Sequence, residues 1–204
     1  WWSEFPPAWT YLSALVYQLT GGSYANYAFL LGMIVLAFDT GNLVLVRNIG
    51  TRLHGANTGM ALAWIYAVLL APLAFTFWTF EAIVAFWLLL GLWWLLQKRD
   101  APSAVAAAVG ALMKFTPALL LGAVWRFRET RRAALYITVL VGLFVLAYLP
   151  LLMQNANMTL PSLTAQFNKA SYQSVWALID RNYRTGNFGP LEDRADPDRA
   201  GIMQ

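Results

Sequence analysis

Long stretches without a formal charge dominate this chain. Tyr24–Phe38, Gly55–Phe80 and Ala133–Met153 contain no Asp, Glu, Lys or Arg. Of the 204 residues, 59% are hydrophobic and 12% are charged, whereas soluble domains have about 45–50% apolar and about 25% charged residues. Uncharged stretches of this length cannot all be core helices of a soluble domain. We therefore predict an all-α fold, a polytopic transmembrane helix bundle.

The positive charges flank the apolar stretches. Eight of the fourteen Lys and Arg residues lie in three clusters, within residues 47–54, 98–99 and 126–132. Lys and Arg beside a span mark a cytoplasmic loop, so the net charge of +4 indicates membrane orientation rather than a nucleic-acid-binding face. We expect a multi-pass integral membrane protein of the bacterial plasma membrane, with membrane lipids and no nucleic acid among its partners.

The same pattern predicts three regions along the chain. Residues 1–22 form an external loop and an interfacial helix, which starts at the last proline of Phe5-Pro6-Pro7 and ends at Gly21-Gly22. Residues 24–152 form the transmembrane bundle, and residues 153–204 form an external polar loop. The predicted membrane segments are spans at about 24–46, 56–74, 82–96 and 133–152, and a re-entrant hairpin at 102–125.

The hairpin is predicted because basic residues lie at both ends of the segment, which should therefore be on the same side of the membrane. Residues 102–125 contain Lys114 and Pro117 in their middle and lead directly into the basic cluster at 126–132. A single crossing would place that cluster outside, so two short helices with both ends in the cytoplasm are favoured. The first arm is rich in Ala, Ser and Gly, which suits close packing inside a bundle.

Lys114 is the candidate for chemistry inside the membrane. Twelve residues beyond Pro102, it lies about 18 Å from the inner surface, past the midplane of a core about 30 Å thick. An ammonium at that depth can bind an anionic group from an outward-open cavity. The alternative is a lysine that snorkels or pairs with a carbonyl near Pro117. For Asp39, in the inner leaflet, we predict a packing or hydrogen-bonding role with Thr40 and Asn42.

Residues 171–190 mix aromatic, amide, basic and acidic side chains. Aromatic rings can cover the apolar faces of a sugar, and arginine forks can hold anionic oxygens. The alternative is a short amphipathic helix, Val175–Ile179, followed by an ordinary loop. The candidates for substrate binding are Tyr172, Gln173, Trp176 and Asp180, and those for phosphate binding are Arg181 and Arg184.

Motifs typical of soluble enzymes are absent from the sequence. It has no phosphate-binding glycine loop and no Cys, and its single His54 lies in a predicted basic turn. These features predict neither a metal centre nor a nucleophilic cysteine. We expect no cofactor, with dependence on a divalent metal left open.

Three segments together resemble a known enzyme family. They are Glu4-Phe5-Pro6-Pro7, Gly110-Ala111-Leu112-Met113-Lys114-Phe115-Thr116-Pro117 and Gln173-Ser174-Val175-Trp176-Ala177-Leu178. In order and spacing they resemble glycosyltransferase family 87, the polyprenol-phosphate-mannose-dependent membrane mannosyltransferases of the GT-C fold. The resemblance implies transfer of a sugar, on the non-cytoplasmic face, from a polyprenyl-phosphate donor to a lipid-linked or glycan acceptor.

The sequence departs from that family at its catalytic acid. The family's Asp precedes the Pro-Pro pair, and none of the six residues before Pro7 is an Asp. We expect the chain to be an internal piece of a longer protein that lacks this base, with Glu4 as a neighbour of the base or a substitute for it. Lys114, Arg181 and Arg184 are expected at the donor phosphate. The alternatives are a transporter or flippase of an anionic lipid or small molecule, with Lys114 at a broken helix, and a non-catalytic scaffold subunit.

Overall fold

The computed structural model describes residues 5–69, 79–164 and 175–179, and it is all-helical, with no strand in those ranges. The predicted all-α class is confirmed. The chain divides into two compact units, Pro6–Tyr148 and a second made of Trp1–Phe5 and Leu149–Gln204. The first is called the main unit, and each is described by itself.

The described ranges contain eight α-helices and one 3-10 turn. They are α1 (Pro7–Leu19), α2 (Tyr24–His54), α3 (Ala56–Val68), α4 (Glu81–Leu96), α5 (Asp100–Ala111), a 3-10 turn (Thr116–Leu119), α6 (Leu120–Phe127), α7 (Thr130–Thr164) and α8 (Val175–Ile179).

Two of these helices are long and apolar enough to cross a membrane. They are Tyr24–His54, with 31 residues, and the part of α7 from Thr130 to Asn157, with 28 residues. Helix α4 is equally apolar in character but has 16 residues, which rise about 24 Å. Length and composition thus support a membrane association through two helices, and the complete set of predicted spans stays a prediction.

Helix α1 begins and ends where the sequence predicts. Pro7 lies in its first turn, where a missing N–H costs no helical hydrogen bond. After Leu19 the chain turns through Gly21 and Gly22, both with positive φ, and Ser23 then caps α2 by accepting a hydrogen bond from Asn26 N.

Helix α2 is longer than predicted. The sequence placed the end of the span at residue 46 and His54 in a turn, but the helix continues through His54. Basic residues such as Arg52 and His54 are favourable in the last turn of a helix. The helix ends at Gly55, whose φ is +91°. Helix α3 then packs closely against α2. If Gly59 were replaced by alanine, its Cβ would lie 2.6 Å from the Arg47 carbonyl oxygen, which is too close.

Helices α5 and α6 form a hairpin around the 3-10 turn. At its open end, Arg128 Nε donates to Asp100 Oδ1 at 2.9 Å, and its Nη2 donates to the Leu95 carbonyl at 2.6 Å. The residues before and after the hairpin therefore lie side by side. Nearby, Arg52 Nη2 donates to the Leu96 carbonyl at 3.0 Å, so the three basic clusters meet at one end of the main unit. We call this the basic end.

The small residues of α5 are buried, as their composition predicts. Ser103, Ala104, Ala106, Ala107, Ala108, Gly110 and Ala111 are all buried. Helices α4, α6 and α7 pack around them, with Leu95, Val124 and Leu140 in the same apolar cluster. Ser103 Oγ donates to the Gly91 carbonyl at 2.8 Å and lies 3.0 Å from Tyr136 Oη, which satisfies the one hydroxyl in this arm.

Helical structure extends into the region predicted as a polar loop from residue 153. Helix α7 continues to Thr164, with a break at Asn155, whose φ is −160° and ψ 95°. Thr159 Oγ1 donates to the carbonyls of Asn155 and Leu151, so a new helical turn starts after the break. The predicted short helix Val175–Ile179 is present as α8.

Candidate functional site at the lysine–glutamate pair

Three segments meet at the end of the main unit opposite the basic end. Ala8 N, in the first turn of α1, donates to the Leu112 carbonyl at 3.0 Å. The rings of Trp9 and Phe80 stack with centroids 4.2 Å apart. Lys114 Nζ, at the hairpin tip, lies 2.5 Å from Glu81 Oε1 in the first turn of α4. We call the start of α1, residues 80–81 and the hairpin tip the tip end.

The local sequence places Lys114 in a helix break. Helix α5 ends at Ala111, and the N–H groups of Met113 and Lys114 both turn back to the Gly110 carbonyl at 3.0 Å. A Cβ at Gly110 would lie 2.7 Å from the Pro117 ring, so the glycine lets the turn close against the proline. Lys114 thus lies on a tightly packed turn.

The Lys114–Glu81 pair is exposed. The two side chains are 40% and 54% exposed. In the outward-open cavity that the sequence predicts around Lys114, water screens such a pair, which then contributes about 0–1 kcal/mol to stability. An accessible ammonium beside an accessible carboxylate can instead exchange its partner for the oxygens of an anionic ligand.

Glu81 is the residue that the sequence interpretation missed. The sequence patterns assign it no role, and for Lys114 they predict an anionic ligand or a carbonyl near Pro117 rather than a carboxylate partner. The signal was present, since Glu81 is the only acid between Asp39 and Asp100 and lies at the predicted external end of its span. Glu81 and Lys114 are 33 residues apart in sequence, so their contact depends on the packing of the hairpin against α4.

Asp39 has a hydrogen-bonding role, but with a different partner from those predicted. Its Oδ1 accepts from Tyr66 Oη at 2.5 Å. Thr40 and Asn42 bond instead to backbone carbonyls, of Leu36 at 2.9 Å and Ala82 at 2.9 Å. Adjacent residues on a helix point in different directions, so Thr40 cannot face Asp39 while a tyrosine on the packed helix can.

Most other predicted site residues lie outside the described ranges. They are Glu4, Tyr172, Gln173, Asp180, Arg181 and Arg184. Trp176 lies on α8. Of the predicted site residues, Lys114 is therefore the one whose surroundings are described. Across residues 5–69, 79–164 and 175–179, no group of three or more His, Asp or Glu side chains is placed to hold a metal ion.

Comparison with protein-family models, curated proteins and solved structures finds no match. The resemblance to glycosyltransferase family 87 therefore stays a prediction from the sequence.

Proposed function

We propose that this chain belongs to an integral-membrane glycosyltransferase, a mannosyltransferase by its resemblance. It moves a sugar from a polyprenyl-phosphate donor to a lipid-linked or glycan acceptor on the non-cytoplasmic face. The observation that carries the proposal is the exposed Lys114–Glu81 pair beside the start of α1, where the Pro6-Pro7 segment lies.

The chemistry needs a cation and a base. In a direct displacement, the acceptor hydroxyl oxygen bonds to the anomeric carbon while the bond from that carbon to the phosphate oxygen breaks. The hydroxyl proton passes to a carboxylate, and the leaving polyprenyl phosphate gains a negative charge. The Lys114 ammonium stabilises that charge, and Arg181 and Arg184 are proposed to assist it.

Glu81 joins Glu4 as a candidate for the base. Without donor, its carboxylate neutralises Lys114 and holds the ammonium at the tip end. When a donor phosphate takes over the ammonium, the carboxylate leaves its ion pair and is available to take the proton of the acceptor hydroxyl. Trp9, which stacks on the buried Phe80 and is itself partly exposed, offers apolar surface at the same end for the sugar or for the first prenyl units.

The test is sugar transfer from radiolabelled polyprenyl-phosphate sugars by the full-length protein in membranes. A charge swap, Lys114→Glu with Glu81→Lys, separates two roles for the pair. If the pair acts only by joining the hairpin to α4, the swap restores transfer. If Lys114 must meet a donor phosphate from its own position, the swap stays inactive although the protein folds. Arg126→Met, at an exposed arginine of the basic end, is the matched control and should keep full transfer.

A transporter or flippase of an anionic lipid or small molecule is the second candidate. It is favoured by one observation, the lysine at the break between α5 and the 3-10 turn, because broken helices carry the binding sites of many transporters. Movement of labelled lipid across reconstituted vesicles, without any new glycosidic product, would favour this function over transfer.

A further inference from the structure

A cavity of about 230 Å³ lies at the basic end, between the turn that joins α4 to α5 and the first turns of α7. Its polar lining includes Lys98, Asp100 and Arg132, and its apolar wall includes Leu135 and Val139. All of these residues belong to the main unit. The cavity is separate from the tip end, to which the proposed transfer reaction is assigned.

The cations of this cavity have spare binding capacity. Asp100 is already bonded to Arg128 at 2.9 Å. Arg132 Nη1 lies 3.8 Å from the second Asp100 oxygen, which is too long for a hydrogen bond. The Lys98 ammonium has no hydrogen-bond or ion-pair partner in the part of the chain that the structure describes. Lys98 and Arg132 therefore face the cavity, while the carboxylate in its lining, Asp100, is neutralised by Arg128.

The backbone at Lys98 is strained. Its φ is +61°, the one positive value at a non-glycine residue in the described ranges. Lys98 N donates to the Leu95 carbonyl at 3.0 Å and Arg99 N donates to the Trp94 carbonyl at 2.9 Å, the pattern that usually places glycine at the end of a helix. A lysine at such a position costs conformational energy that glycine would avoid, which points to a use for its side chain.

We propose that this cavity binds the phosphate group of an anionic phospholipid. Lys98 and Arg132 hold the phosphate oxygens by charge-assisted hydrogen bonds. Leu135 and Val139 follow Arg132 at about one and two turns along α7, about 5 and 10 Å further along an apolar helix. They contact the glycerol and the start of an acyl chain.

The lipid is favoured over a free phosphate by this arrangement of charge and apolar wall. Helix α7 is one of the two helices able to cross a membrane, and the basic clusters at its start are predicted at the cytoplasmic surface, where anionic head groups lie. A free phosphate would use the two cations and leave the apolar wall of the cavity without a role. The proposal requires a membrane location but not the glycosyltransferase activity.

The experiment measures binding of radiolabelled phosphatidic acid to the full-length protein in mixed micelles, with phosphatidylcholine as the comparison lipid. Lys98→Gly removes the ammonium and relieves the strained backbone, so the variant should be at least as stable as the parent yet bind phosphatidic acid about tenfold more weakly. Arg132→Gln should show a loss of similar size. Arg131→Gln, the adjacent exposed arginine that does not line the cavity, is the matched control and should bind normally.

Stronger retention of phosphatidic acid than of phosphatidylcholine, reduced in Lys98→Gly and Arg132→Gln but not in Arg131→Gln, supports the proposal. Equal losses in all three variants would show attraction by the overall positive charge and overturn it. Unchanged binding in a folded Lys98→Gly protein would also overturn it. Displacement of the lipid by an equimolar amount of inorganic phosphate would identify a free phosphate as the ligand, against the lipid assignment.

Discussion

Each end of the main unit carries an ion pair that involves the hairpin: the pair at the basic end joins the two ends of the hairpin, and the pair at the tip end joins the hairpin to α4. At the basic end, Arg128 and Asp100 are 21% and 15% exposed, and Arg128 also donates to a backbone carbonyl. At the tip end, Lys114 and Glu81 are 40% and 54% exposed. The pairs have the same charges but different access to solvent.

This difference in exposure separates a structural role from a chemical one. A half-buried pair with an additional hydrogen bond strongly disfavours the loss of either partner, because the remaining charge is left without compensation. An exposed pair contributes little to stability and can exchange partners. The basic-end pair therefore closes the hairpin, while the tip-end pair is the better candidate for binding an anionic donor.

The largest expected effect is an all-or-none difference in labelling. Single cysteines replacing Arg126, Thr116 and Thr185 in this cysteine-free chain probe the basic end, the hairpin tip and the tail. An impermeant maleimide added from outside should label positions 116 and 185 and leave 126 unlabelled, because the basic end is predicted to be cytoplasmic. External labelling of position 126 would contradict the predicted orientation of the hairpin. The two ends of the main unit could then no longer be assigned to opposite sides of the membrane.

The next effect is on stability at the basic end. Arg128→Met should lower the free energy of unfolding by about 2–3 kcal/mol, since Asp100 loses its near partner and the Leu95 carbonyl loses a donor. Denaturant unfolding in detergent measures it. Arg131→Met, at an exposed arginine, should change the value by less than about 0.5 kcal/mol. Similar values for both variants would mean that Arg128 is no more structural than its neighbours.

At the tip end the opposite pattern is expected. Lys114→Met should lower sugar transfer at least about tenfold, because a charge-assisted bond to the donor phosphate is lost, while the free energy of unfolding changes by less than about 1 kcal/mol. Lys114→Arg should recover part of the activity. Normal transfer together with reduced thermal stability would make this pair structural, like the one at the basic end.

The smallest effect is expected at the bond between α2 and α3. Tyr66→Phe removes the hydrogen bond to Asp39 without changing the ring, so the free energy of unfolding should fall by about 1 kcal/mol with sugar transfer unchanged. The matched variant Tyr24→Phe, at an exposed tyrosine, should leave both quantities unchanged. A large loss of transfer in Tyr66→Phe would place a third functional region beside the two ends.

Much of the local structure could be predicted because it depends on residues close in sequence. The start of α1 at Pro7 and the burial of the Ala-rich α5 follow from proline geometry and side-chain size. The short helix Val175–Ile179 was likewise predicted as one of two alternatives. The sequence predicts a span that ends at residue 46 and a basic turn at His54, whereas helix α2 continues to His54 because basic side chains are favourable in a last helical turn.

The sequence by itself determined an all-helical, apolar chain with basic clusters beside its apolar stretches, and it placed Lys114 at a break in a helix. Composition, helix-ending residues and charge position suffice for these features, since each acts over a few residues or through the exclusion of charge from an apolar phase. Only the tertiary structure decided the partners: Glu81 for Lys114, Asp100 for Arg128 and Tyr66 for Asp39. These pairs are separated by 33, 28 and 27 residues, and such contacts form only where packed helices bring side chains within hydrogen-bonding distance.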